Sequence, residues 1–251
     1  MSDRPPVPAA VAVLAAGGLW ATAFLLEPSL PAGTRWLLGI GAWLWTLVAL
    51  TGLLVARARW AVRLGLGVAA LAVPGVALVD APVLVGLGAG AAAASVWTLL
   101  GAGTAARVRP DRAADAPPDD AVALMAVLVS GPLAAGLASL DGGPHPVTVA
   151  MGAIAPILAW WFGRISVPAL WTARVGFPAL ALAAAVSEGL PWGIVAVVHG
   201  AVVAWYAWRP GSALAAAPLD PTPGEAKPVF AEFAPREVRA VAGIDERGRR
   251  R

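Results

Sequence analysis

The chain has 251 residues, and only 13% of them are Asp, Glu, Lys or Arg, against about 25% in ordinary soluble domains. Apolar residues make up 59% and fall in long runs without charge, which a soluble fold of this length could not bury. The absence of cysteine excludes disulfides and thiolate metal sites, and the net charge of +3 comes from residues beside the apolar runs rather than from a nucleic-acid-binding patch. The composition therefore predicts a multi-pass helical protein of the lipid bilayer.

A membrane-spanning helix needs about 20 predominantly apolar residues, and eight segments come close to or exceed this length. They are Val7–Leu26, Trp36–Ala56, Leu64–Val79, Val83–Ala106, Ala121–Leu140, Val147–Phe162, Val167–Val186 and Trp192–Trp208. The first is longer than a signal-peptide core and lacks a positive leader, so we expect it to be retained. The predicted fold is all-α, with eight transmembrane helices.

Basic residues are distributed unevenly around these segments. If both termini are cytoplasmic, every one of the 18 basic residues except Arg35 lies on the cytoplasmic side. The positive-inside rule thus predicts an even number of spans in the plasma membrane, with both termini inside.

Each predicted outer loop carries one acidic residue. These acids are Glu27, Asp80, Asp141 and Glu188. They are either ordinary solvated loop residues or a ring of carboxylates at an outer mouth, which would concentrate cations.

The chain can be read as two four-helix halves, residues 1–106 and 121–208, joined by a cytoplasmic linker at 107–120. The aligned pairs are Trp60 with Trp171, Arg63 with Arg174, Gly65 with Gly176, Asp80 with Glu188, and Trp97 with Trp205. Because four spans return the chain to the same side, this would be a parallel repeat. Chance matching between helices rich in Ala, Leu and Gly is the alternative.

The fourth span contains a run of small residues, "GLGAGAAAAS", from Gly86 to Ser95. Small residues let helix backbones approach closely, so we expect this helix to be central in the bundle. Trp20, Trp43, Trp45 and Trp97 lie deep in their spans, and we expect them to pack between helices.

Three basic side chains inside or beside the spans are candidate functional residues. His199 falls near the middle of the last span, where it should face the bundle and bond to Ser95, Thr98, Ser130 or a carbonyl freed by a proline. It either makes a structural hydrogen bond or serves as a proton relay or ligand-binding group. Arg174 should snorkel to the inner face or be sheltered in the bundle, and Arg63 is its counterpart in the repeat.

From residue 209 to 251 the chain is rich in Pro and Ala, which predicts a disordered cytoplasmic tail. Its closing "RGRRR" would lie against anionic lipid. A plain solvated tail or a segment that docks on a partner are the alternatives.

Nucleotide-binding and hydrolase motifs are absent from the sequence, which predicts no cofactor and no metal and favours a non-enzymatic protein. The scarcity of polar residues in the spans favours a structural or assembly subunit with membrane-protein partners. The alternative is a small-molecule or ion permease, with a midplane site around His199 and the proline-containing third and seventh spans. A lipid-modifying intramembrane enzyme is a further class.

Overall fold

The computed structural model describes residues 5–56, 59–108, 119–164 and 166–216. Within these ranges the secondary structure is helical and contains no β-strand, which confirms the all-α class. The helices are α1 Val7–Leu26, α2 Ala32–Thr51, α3 Arg59–Ala70, α4 Ala72–Leu78, α5 Pro82–Leu100, α6 Ala102–Ala105, α7 Asp119–Val129, α8 Gly131–Ala138, α9 Pro146–Phe162, α10 Val167–Trp171, α11 Phe177–Glu188, α12 Gly193–Ala207 and α13 Pro210–Ala215. Two π-helical turns, Gly52–Ala56 and Thr172–Gly176, extend α2 and join α10 to α11.

Five helical stretches in the described part of the chain are long and apolar enough to cross a membrane. They are Val7–Leu26, Ala32–Val55, Arg59–Leu78, Pro82–Leu100 and Val167–Glu188. The pair α7 and α8 would make a sixth, but it is bent by 46°. The helices α9 and α12 are apolar but shorter. All eight predicted segments contain helix, while the count of eight spans stays a prediction.

Local sequence explains several helix ends. Proline occupies the first turn of α5, α9 and α10, where its missing N–H would have no helical partner in any case. The Ser166 hydroxyl caps α10 by accepting the Ala169 N–H at 3.4 Å. Gly189 ends α11 with φ +73°, a conformation that favours glycine.

Buried residues form two cores. One is built mainly by α1, α2, α3 and α5, and the other by α7 to α13. Within each group, helices that are consecutive along the chain pack side by side, and the last long helix packs back on the first. The predicted linker, residues 107–120, lies largely outside the described residues, so the division into two domains stays a prediction.

The two groups meet mainly where α2 packs on α8. The contact is close because glycine lies on both sides: a Cβ on Gly41 would be 2.7 Å from the backbone nitrogen of Leu133, and one on Gly136 would be 2.7 Å from the Leu38 side chain. At one end of this interface the Thr34 hydroxyl donates to the Ser139 carbonyl at 2.8 Å. If a two-fold axis related the two halves, α1 would pack on α9 as α2 packs on α8. Within the described residues, no packing of comparable extent joins α1 and α9.

The expectation that the fourth span is central is wrong. Helix α5 is the least buried of the five candidate spans, with 22% of its most apolar stretch buried. Gly86 and Gly90 have no heavy atom of another element within 4 Å of where a Cβ would lie, and Trp97 is 83% exposed rather than packed between helices. The small residues of α5 thus lie partly on its outer face. Trp20, by contrast, is fully buried against Gly75 and Gly88, as expected.

Candidate functional site

The four loop acids lie at one end of the bundle, which we call the acidic end. A carboxylate oxygen of Glu27 accepts the Asp80 backbone N–H at 2.9 Å, and a carboxylate oxygen of Glu188 accepts the His145 backbone N–H at 2.8 Å. Each bond joins two loops of the same group of helices. Asp80 and Asp141 are exposed.

Glu27 is only 3% exposed and is held by several donors. The Ser29 hydroxyl and backbone N–H both donate to its other carboxylate oxygen, at 2.8 and 3.1 Å. Burial raises the pKa of Glu27, but the hydrogen bonds from Asp80 and Ser29 and the charge of Arg35 outweigh it and lower the pKa below the ordinary value of 4.5. This carboxylate therefore joins two loops, and the ring of carboxylates at an outer mouth stays a prediction.

The two candidate arginines occupy different surroundings. Arg174 is 4% exposed, its Nε donates to the Ala207 carbonyl at 2.8 Å, and its guanidinium lies over the rings of Trp171 and Trp208 at 5.3 and 4.5 Å. It is therefore sheltered within the bundle. Arg63 is exposed on α3, so the two residues aligned by the proposed repeat do not share an environment.

His199 lines a pocket of about 420 Å³ between the two groups of helices. The walls come from α1, α2 and the α3–α4 segment on one side and from α7, α8 and α12 on the other. His199 is 8% exposed, so it faces the bundle as expected, and its ring contacts that of Phe177 edge-on with centroids 5.6 Å apart. The pocket therefore places one buried imidazole at the junction of the two cores.

Two helices change direction or break where they line this pocket. The 46° bend between α7 and α8 falls at Ser130, and α3 gives way to α4 at Leu71. Ser130, Leu71 and the nearby Pro74 all line the pocket. Residues of the third span thus line the pocket, whereas the seventh span contributes none of the described lining residues and contacts His199 through Phe177.

Among the residues that the structure describes, the expected hydrogen bond to His199 is not found. The hydroxyls of Ser95, Thr98 and Ser130 donate instead to carbonyls of their own helices, at 2.9, 2.8 and 2.7 Å. His199 Nε2 is buried and has no hydrogen-bond partner among the described residues. The indole Nε1 of Trp45, which also lines the pocket, is likewise buried without a hydrogen-bond partner among the described residues. The sequence predicts only that Trp45 packs between helices.

The remaining wall of the pocket is apolar. None of the described residues that line it is Asp, Glu, Lys or Arg. In the part of the chain that the structure describes, no three His, Cys, Asp or Glu side chains lie together as metal ligands would. Pockets of roughly 300–1,000 Å³ with apolar walls and few polar groups are typical of small-molecule sites.

The comparisons with known proteins give no match to a family model, to a curated protein or to a solved structure. A function for the chain is therefore inferred from the geometry of the His199 pocket.

Proposed function

We propose that the chain is a plasma-membrane permease or carrier that binds an uncharged small molecule in the His199 pocket. The observation that carries the proposal is the buried imidazole of His199, which lines a 420 Å³ pocket and makes no hydrogen bond to another described residue. A buried polar atom without a partner is costly, by about 1–3 kcal/mol, and is rare in proteins. A bound molecule would supply the missing hydrogen bond.

The position of the pocket supports a carrier. Transport sites are commonly found between the two structural halves of a membrane protein and beside interrupted helices. Here the interruptions at Leu71 and Ser130 both reach the pocket. An ion permease is less well supported than a carrier of uncharged molecules, because an ion would lose its hydration against apolar walls.

The proposed topology has eight spans, both termini cytoplasmic and the acidic end outside. Support comes from helix in all eight predicted segments and from the bonds that gather the loops of Glu27, Asp80, His145 and Glu188 at one end. The parallel repeat is supported by the matching order of neighbouring helices in each half, though not by a symmetric contact between halves. The tail lies almost entirely outside the described residues, and its disorder and contact with anionic lipid remain proposals.

A pocket-filling variant tests the carrier proposal. Ala134 lines the pocket, so Ala134→Phe should occupy it, whereas Ala94→Phe adds the same ring to an exposed position on α5. We expect native mass spectrometry of gently purified protein to find a small molecule bound to the wild type and to Ala94→Phe and absent from Ala134→Phe. An empty pocket in every form of the protein, with no ligand that raises its thermal stability, would contradict the proposal.

A structural or assembly subunit is the second candidate function, favoured by the outer face of α5. Gly86 and Gly90 leave that face open, and small residues four apart let another helix pack closely. On this proposal, Gly86→Leu with Gly90→Leu should release a partner protein during gentle detergent extraction. Ala179→Leu, at an exposed position of α11, is the matched control and should retain the partner. Recovery of the wild type as an isolated chain would argue against this function.

A further inference from the structure

The chemistry of the His199 pocket restricts what it can hold. Its described lining residues are almost wholly aliphatic and aromatic, such as Phe24, Leu38 and Leu133, and none of them carries a formal charge. A charged ligand would lose its hydration there and find no counter-charge. The bulk of the occupant must therefore be apolar and its net charge zero.

Two polar atoms of the pocket residues need a partner. Neutral imidazole carries one hydrogen-bond donor and one acceptor, and the indole N–H of Trp45 is a donor only. A hydroxyl group both donates and accepts, so it can pair with the His199 ring in either tautomer. The hydroxyl of Ser130 does not fill this role, because it donates to the Val127 carbonyl.

The opening of the pocket lies along the side of the bundle. Ala70 of α3 and Val198 of α12 both line the pocket and are exposed. His199 follows Gly193 by six residues and precedes Ala207 by eight, which puts it about 9 and 12 Å from the two ends of α12 at 1.5 Å per residue. An opening at this depth in a membrane-spanning bundle faces lipid rather than water.

We infer that the occupant is an uncharged molecule dissolved in the bilayer, with an apolar body and one hydroxyl group that bonds to His199. It enters sideways from the lipid between α3 and α12. This inference rests on the proposed function, since it names the class of molecule that the same pocket binds.

Photolabelling of the full chain in lipid nanodiscs tests the inference. The probe is dodecanol with a diazirine in its chain, and the comparison probes are the same diazirine hydrocarbon without the hydroxyl and the corresponding dodecyl phosphate. Labelled peptides are mapped by mass spectrometry. We expect the alcohol to label pocket peptides about threefold to tenfold more than the hydrocarbon, the range that one hydrogen bond supports. The phosphate should label them least.

Variants separate recognition from simple partitioning into an apolar space. His199→Phe should abolish the preference for the alcohol while both uncharged probes still label, and His199→Gln should keep the preference because glutamine still forms hydrogen bonds. Ala134→Phe should remove pocket labelling by every probe, and Ala94→Phe should leave it unchanged. If Ala134→Phe does not fold, Ala70→Leu narrows the exposed edge of the pocket and should reduce labelling in its place.

The outcomes separate a failure of this inference from a failure of the proposed carrier function. Equal labelling by alcohol and hydrocarbon in the wild type, or stronger labelling by the phosphate, would overturn the choice of an uncharged alcohol. If no lipid probe reaches the pocket while native mass spectrometry finds a water-soluble molecule there, the inference fails and the carrier proposal stands. If neither experiment finds an occupant, both fail.

Discussion

The carboxylate of Glu27 accepts a hydrogen bond from the backbone N–H of Asp80 at 2.9 Å, although 53 positions separate the two residues in the chain. This bond joins the loop after α1 to the loop before α5. In the second group of helices, the Glu188 carboxylate accepts the His145 N–H at 2.8 Å and joins the last residue of α11 to the loop before α9. The loops of each group are thus held together by one carboxylate and one backbone N–H.

Glu27→Gln should lower the thermal unfolding midpoint at neutral pH, because both carboxylate oxygens accept hydrogen bonds, from Asp80 and from Ser29, whereas glutamine has one acceptor oxygen and an NH2 group that only donates. The pKa of Glu27 is lower in the folded protein than its ordinary value of 4.5. Its ionised form therefore stabilises the fold above that pH, and the contribution is lost as the pH falls through the folded-state pKa.

Unfolding midpoints measured in nanodiscs between about pH 3 and pH 7 check this prediction. The gap between wild type and Glu27→Gln should be widest at neutral pH and should close in acid. Asp141→Asn is the control, since Asp141 is exposed. A pH-independent gap would mean that the charge of Glu27 does not stabilise the fold.

Gly41→Ala should destabilise the contact between the two groups of helices. The added Cβ would lie 2.7 Å from the backbone nitrogen of Leu133, which cannot move without shifting α8. Overpacking of this kind costs about 1–3 kcal/mol. Gly86→Ala meets no atom within 4 Å and gains helix propensity, so it should be neutral or stabilising. We therefore expect the unfolding midpoint of Gly41→Ala to be clearly lower than that of Gly86→Ala. Equal midpoints would contradict the close packing of α2 on α8.

Features that depend on a single helix could be predicted from the sequence. Long apolar runs specify membrane helices because backbone groups must be satisfied internally in lipid. An imidazole in such a helix is expected to face protein, and His199 does. Trp20 is also buried as expected, because a large ring that lies away from the helix ends packs between helices.

The errors concern relations between helices. Gly86 and Gly90 fit a close helix contact, but their pattern does not say whether a neighbouring helix of the same chain is present. The expected partners of His199 bond instead to carbonyls of their own helices, an option that every Ser and Thr in a helix has. Six helical segments line the pocket, and no local sequence pattern predicts that they come together.

Reporter fusions check the proposed topology. Fusions at residues 30, 80, 143 and 189 should report the outer side, and fusions at residues 60, 113 and 165 the cytoplasm, because basic residues flank the latter set. Residues 113 and 165 lie outside the described residues, so their placement depends on the sequence alone. A C-terminal fusion on the outer side would contradict the even number of spans.

His199→Phe should leave the ligand-free protein as stable as the wild type or more stable. The substitution keeps an aromatic ring against Phe177 and removes a buried nitrogen that has no partner among the described residues, which relieves up to about 1–3 kcal/mol. Thr34→Val is the contrasting control, because the Thr34 hydroxyl is buried and donates to the Ser139 carbonyl at 2.8 Å. That variant should lower the unfolding midpoint.

If His199→Phe lowers the midpoint as much as Thr34→Val does, the imidazole makes a structural hydrogen bond. A bound ligand is then not needed to complete its hydrogen bonding. If the midpoint holds or rises while the preference for the alcohol probe is lost, His199 is retained for a bound molecule at the expense of stability.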